Sequence, residues 1–250
     1  MKRLPYVLLA LLLCWFGYHK VQSVNTSSKP QKTKTSLVIP VPQNTPSVTE
    51  AKSRLEKTPN SPQNHYELGL AYCKEKNYTL AVKEFQQAKQ LAPNIPSSDF
   101  ALGLTYNSMG ETEKAIEVFH NLLQQKLSQG SRFRAYFYLA NSYWDAKRLP
   151  EAQAAYLKCL EYKPLQGQAE YGLGLICAYQ NQLTEAKAHF LKALEKARIP
   201  QERATTNASL GKLAEQQGQT QEALIYYQSS LEQDNSNELA NEGIQRLKTR

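Results

Sequence analysis

Histidine and cysteine are the side chains of this 250-residue chain best suited to hold a metal or attack a substrate. Their spacing gives neither chemistry a site. The four His stand at 19, 65, 120 and 189, too scattered for a ligand set. The chain has no His-Glu-x-x-His, no Cys-x-x-Cys and no Gly-rich phosphate loop ending in Lys. Of the four Cys, Cys73, Cys159 and Cys177 fall on helical faces where a small buried hydrophobe is the simpler role. Only Cys159 and Cys177, on successive helices, could pair as a disulfide. Four Cys in 250 residues exclude a small disulfide scaffold. No catalytic residue, metal or cofactor is expected, and the chain is not expected to be an enzyme.

The chemistry that remains is recognition by surface. The formal charge of +8 first suggests nucleic acid. Six of those charges belong to Lys2, Arg3, Lys20, Lys29, Lys32 and Lys34, in a stretch 1–49 without a single acid. Residues 50–250 carry only +2, which argues against a nucleic-acid surface. Lys2 and Arg3 precede an apolar run from Leu4 to Tyr18, broken by Pro5 and Gly17. The run is short for a membrane span, which needs about 20 residues. It fits the order of a secretory signal, either cleaved or kept as a signal-anchor over 1–20. The repeats would then lie outside the cytoplasm, in the periplasm if the source is bacterial. Lys20 to Lys34 work against this topology by the positive-inside rule. Residues 21–46, rich in Ser, Thr, Lys and Pro, are expected to form a disordered tether, apolar only at Leu37-Val38-Ile39.

Internal repetition decides the fold. Leu-Gly or Leu-Ala pairs occur at Leu68-Gly69, Leu102-Gly103, Leu139-Ala140, Leu173-Gly174 and Leu210-Gly211. Each is followed by Ala81, Ala115, Ala152, Ala186 or Ala223, and then by Phe85, Phe119, Tyr156, Phe190 or Tyr227. The small residues let two helices approach, and the aromatic fills the space beside them. The first helix of each pair should end near Asn77, Gly110, Lys147, Asn181 and Gly218, with Lys147 a strained misfit. The extra residues Gly130–Arg132 and Gln201–Arg203 should each add about one helical turn.

These positions resemble the tetratricopeptide repeat (TPR), a 34-residue helix–turn–helix unit. The resemblance covers about 62–237 in five units, 62–95, 96–129, 133–166, 167–200 and 204–237. No unit has the family's Trp at its fourth position. The resemblance implies an all-α, right-handed solenoid, with an N-terminal capping helix in 47–61 and a C-terminal one in 238–250. Twelve helices are expected over 47–249.

In such arrays one face of the first (A) helices lines a concave groove. Positions 5, 9 and 12 form that face, about 115–120° from the packing face. The residues expected to line it are Tyr66, Leu70, Phe100, Leu104, Phe137, Asn141, Trp144, Tyr171 and Leu175. The fifth unit is polar there. Some relatives clamp the acidic C-terminus of heat-shock chaperones with a set of Lys, Asn and Arg across three units. Here Asn141 and Arg134 stand isolated, so that ligand is not expected. The resemblance implies a non-catalytic scaffold that binds a protein or extended peptide. The alternative is a non-catalytic subunit of a membrane-associated enzyme complex.

Overall fold

The computed structural model describes residue 39 and residues 41–162 and 167–249. The leader over 1–20 lies outside the described residues, as does most of the tether. Twelve helices occur among the described residues, and no strand. They are α1 (Val48–Lys57), α2 (Pro62–Lys74), α3 (Tyr78–Leu91), α4 (Pro96–Met109), α5 (Thr112–Leu123) and α6 (Gln129–Asp145). The second half holds α7 (Leu149–Tyr162), α8 (Gly167–Tyr179), α9 (Leu183–Lys196), α10 (Pro200–Gln216), α11 (Thr220–Gln233) and α12 (Glu238–Lys248). Each helix packs on the next in sequence, with further contacts only between near neighbours such as α4 and α6 or α8 and α10. That one-dimensional pattern is what stacked repeats produce.

Local chemistry sets the helix starts. Ser47 accepts from the Glu50 amide while the Glu50 carboxylate accepts from the Ser47 amide, a full capping box for α1. Pro62, Pro96 and Pro200 open α2, α4 and α10, where a missing N–H costs nothing. Asn237 caps α12 through Oδ1, 3.1 Å from the Ala240 amide.

The repeat positions pack as their residue types demand. The five Ala of the second helices are fully buried, and their five aromatics are 3% exposed or less. A Cβ built on Gly69 would lie 2.5 Å from Phe85, and one on Gly103 only 2.4 Å from Phe119. Leu102-Gly103 and its counterparts therefore mark where a ring lies directly on a helix backbone. Unit 3 solves the problem differently. It has Ala140 in place of Gly, and Tyr156 lies instead against Gly172 of the next unit, where a Cβ would sit 2.4 Å from the ring.

Two expectations need adjustment. In the first unit the left-handed residue is Lys76, with φ 61°, while Asn77 has φ −86° and precedes α3. Counting from Pro62 puts the helix-ending position at Lys76. Two lysines, Lys76 and Lys147 (φ 63°), thus hold a conformation that Gly110 and Gly218 adopt without steric cost. The extra residues of units 3 and 5 do add about one turn, as expected, by lengthening the first helix: α6 and α10 run 17 residues where α2 and α8 have 13. The first helices of these units thus start at Gln129 and Pro200, ahead of the repeat positions 133 and 204. Finally, the tract over 21–46 is not a free tether to its end. Ile39 is 4% exposed within the main core, Val41 packs against the same core, and Thr45 closes a turn onto the Pro42 carbonyl. The apolar Leu37-Val38-Ile39 break in that polar tract was the local sign of burial.

Candidate ligand groove on the A helices

The A helices α2, α4, α6, α8 and α10 share one face, and their side chains reach across it from unit to unit. Phe100 meets Tyr138 edge-on at 6.2 Å, and the Tyr171 hydroxyl lies 3.0 Å from Ser209 Oγ. In both cases the fifth residue of one unit reaches the sixth of the next. Deeper in the same seam, Asn107 Nδ2 donates to Ser142 Oγ at 2.8 Å, and Cys73 Sγ lies 3.8 Å from Thr105 Oγ1. These contacts stitch the stack together, so part of the expected groove is structural.

The nine expected groove residues divide accordingly. Leu70, Phe100, Leu104 and Asn141 are buried. Tyr66, Phe137, Trp144, Tyr171 and Leu175 keep part of their surface. The nine therefore do not form one open strip. Phe137 packs among Phe133, Tyr138 and Tyr156, with ring centroids 6.1, 5.7 and 6.1 Å away. Tyr66 and Tyr171 each sit 5.5 Å from the large ring of their own unit, Phe85 and Phe190. Burial pushes both tyrosine hydroxyls up, with Arg134 pulling against it at Tyr66 and the Ser209 hydrogen bond at Tyr171.

Asn141 has a role that its spacing did not announce. Its Oδ1 accepts from the Tyr156 hydroxyl at 2.6 Å, while its buried Nδ2 has no hydrogen-bond partner. The acceptor follows from Tyr156: a Tyr in place of Phe beneath the A helix carries a hydroxyl that must be satisfied. Tyr227 obeys the same rule through Glu215 Oε2, at 2.9 Å. Burial comes first among the causes that drive both phenol groups well above their usual range.

Some residues the pattern missed stand open. Tyr179 is 51% exposed and meets Trp144 edge-on at 5.9 Å, where Lys147 lies 5.6 Å over the Trp144 ring. Tyr179 follows Ala178, the position expected to line the groove, so the opening extends one residue further along α8. Arg134, exposed, lays its guanidinium 4.6 Å over the Phe100 ring.

The missing fourth-position Trp is replaced by polar contacts between paired helices. His65 Nδ1 lies 2.7 Å from Glu84 Oε2 in unit 1, and His189 Nδ1 lies 2.8 Å from Glu170 Oε2 in unit 4, the same pair with its ends exchanged. Glu170 also takes Lys196 at 3.0 Å, and buried Asp99 takes Lys89 at 2.6 Å. Burial alone would raise the Glu170 carboxyl, but the His189 and Lys196 hydrogen bonds outweigh it and hold the group low. These charges bind helices together, and each carboxylate is engaged. Cys73, Cys159 and Cys177 are free and buried, so Cys159 and Cys177 are not joined. Burial lifts Cys73 to about 11 and the other two thiols upward as well, which leaves them protonated and poor nucleophiles. Among the described residues no cluster of His, Cys, Asp and Glu could hold a metal ion.

Comparison with known proteins is consistent with this geometry. Three models described as tetratricopeptide repeat match residues 62–95, 100–160 and 165–236. Among solved structures, PilF of Pseudomonas aeruginosa aligns with TM-score 0.64 and 16% identity over 79% of this chain and 87% of its own. YrrB, described as a TPR protein with an unusual peptide-binding site, aligns at 0.55 and 14% over 80% of this chain and all of its own. The Cut9–Hcn1 hetero-tetramer of APC/C aligns at 0.65 and 14% over 80% of this chain, which spans only 38% of that one. At these identities the likeness concerns the fold. No curated protein matches the sequence significantly.

Proposed function

Because the chain belongs to the tetratricopeptide-repeat family, we propose that it is a non-catalytic scaffold that holds a protein partner by an extended segment laid along the A-helix groove. The observation that carries the reading is the apolar surface on units 3 and 4: Tyr179, which is exposed, with Trp144, Phe137, Tyr171 and Leu175, which keep part of their surface. Aromatic side chains that keep exposure while braced by neighbours are pre-ordered anchors, and such anchors dominate binding energy. Leu70, Phe100, Leu104 and Asn141 are buried within the stack and are not part of that surface. The fifth unit offers Ala208, Lys212 and Glu215 at the corresponding positions, so the receptive stretch is the middle of the array.

Attachment to a membrane belongs to the same proposal. It rests on Lys2, Arg3 and the apolar run 4–18, and places the repeats outside the cytoplasm. Those residues lie outside the described ones. Among the described residues no helix is long and apolar enough to cross a membrane.

Peptides selected from a displayed random library test the groove. Trp144→Ala combined with Tyr179→Ala should weaken the selected peptides at least tenfold and leave the helical circular dichroism signal and its melting midpoint intact. Unchanged affinity in the folded double variant would remove this surface from the account.

A further inference from the structure

Helix α6, which contributes Phe137 and Trp144 to this surface, also carries two charges on one face. Arg134 and Asp145 are 11 residues apart in the sequence. At about 100° per residue they lie within roughly 20° of each other around the helix, and about 16 Å apart along it. Both are exposed. Neither forms an ion pair with an oppositely charged side chain among the described residues, although Lys147 bears on Asp145 through its charge. Most charges nearby are engaged: Arg148 with Glu113 and Glu151, Lys158 with Glu161, Glu170 with Lys196. Arg134 is held in place by stacking on Phe100 of unit 2 and lies within electrostatic reach of Tyr66 in unit 1. Three successive A helices thus converge on one uncompensated guanidinium.

We infer that α6 sets the direction in which the bound segment runs: an acidic side chain of the segment pairs with Arg134 and a basic one pairs with Asp145. This rests on the groove reading above. An extended chain rises about 3.3 Å per residue, so the two side chains fall four to six positions apart, with apolar residues between them on the rings of Phe137, Tyr171 and Trp144. A segment laid in the opposite sense would place like charges together, which costs affinity and suppresses the wrong register. Planar guanidinium suits a carboxylate at this place better than an ammonium would. The carboxylate is a side chain inside the segment, since Tyr66 of unit 1 keeps part of its surface beyond Arg134 and leaves room for the chain to run on.

The probe is a random peptide library displayed as an internal segment with no free terminus. Against the native array, selected sequences should carry an acid and a base four to six residues apart in one fixed order. Against the double variant Arg134→Glu with Asp145→Arg, that order should invert. Arg134→Glu alone should weaken the natively selected peptides about three- to tenfold, more at low salt than at high. Selected peptides with no charge order, or an order unchanged by the swap, overturn this inference and leave the groove reading standing. A preference found only when peptides end in a free C-terminus overturns it too, in favour of a terminal carboxylate. If the folded native array selects no peptides at all, the groove reading itself fails.

Discussion

Units 3 and 5 are built alike and finished differently. Both begin with a lengthened A helix of 17 residues, and both carry Tyr where units 1, 2 and 4 carry Phe. In both, the tyrosine hydroxyl finds an acceptor on its own A helix. In unit 5 that acceptor, Glu215, is shared with Arg246 of α12 at 3.1 Å, and Gly243 of α12 lies against the Tyr227 ring. The unit is sealed by the capping helix. In unit 3 the acceptor is Asn141, and Trp144 stands open at the position that Glu215 fills in unit 5. One scaffold position therefore presents a carboxylate to the cap at the end of the array and a part-exposed ring in its middle, where the proposed ligand would lie.

The comparison breaks most visibly under truncation of the two buried tyrosines. Tyr156→Ala and Tyr227→Ala should each cost about 3–5 kcal/mol in denaturant unfolding. Under conditions where both remain folded, Tyr156→Ala should lose the selected peptides and Tyr227→Ala should keep them. Equal loss of binding would erase the distinction between the two units.

Between the two units lies a pH-sensitive joint. The Glu170 carboxylate has a lowered folded-state value, so its contribution is present above the ordinary glutamate range, near 4.3. That contribution disappears as pH falls through the lower, folded value. Glu170→Gln should cost about 1–2 kcal/mol at neutral pH and progressively less under acid. Denaturation midpoints followed downward from pH 6 report it, and a cost that did not shrink under acid would contradict the assignment.

Removing only the hydroxyls gives a smaller and sharper contrast. Tyr156→Phe leaves the buried Asn141 amide without its contact, at a cost of about 1–2 kcal/mol. Tyr227→Phe should cost less, since Glu215 keeps Arg246. The reverse ranking in paired unfolding curves would mean that the hydroxyls are not what couples each ring to its A helix. Smallest is the turn that follows each A helix. Lys147→Gly in unit 3 should gain up to about 1 kcal/mol, and Gly218→Lys in unit 5 should lose about as much. The gain is reduced because Lys147 also lies over Trp144.

Much of the fold was legible because its determinants are local and repeated. Leu-Gly pairs, the buried Ala and the large ring recur at fixed offsets, and steric fit alone gives them meaning. The twelve helices and their order follow from that. The groove was less legible. Periodicity assigns Phe100 and Phe137 to one face, but whether a ring on that face is open depends on the sixth residue of the next unit. Tyr138 covers Phe100, and the hydroxyl of Ser209 engages Tyr171. Asn141 was read as a groove residue because its partner, Tyr156, lies 15 residues away on α7. Ile39 was hidden by the prolines around it, which hold a tract extended without deciding whether it packs.

The central claim is that the partner contacts the A helices in the middle of the array. Site-specific photo-crosslinking in the full chain tests it most directly, with the crosslinking residue placed at Tyr179 on α8 or at Ile225 on α11. Both sites are open, at 51% and 60% exposed, so access does not bias the result. The groove account predicts a stoichiometric crosslinked partner from Tyr179 and none from Ile225. A partner captured from Ile225 and not from Tyr179 would contradict it.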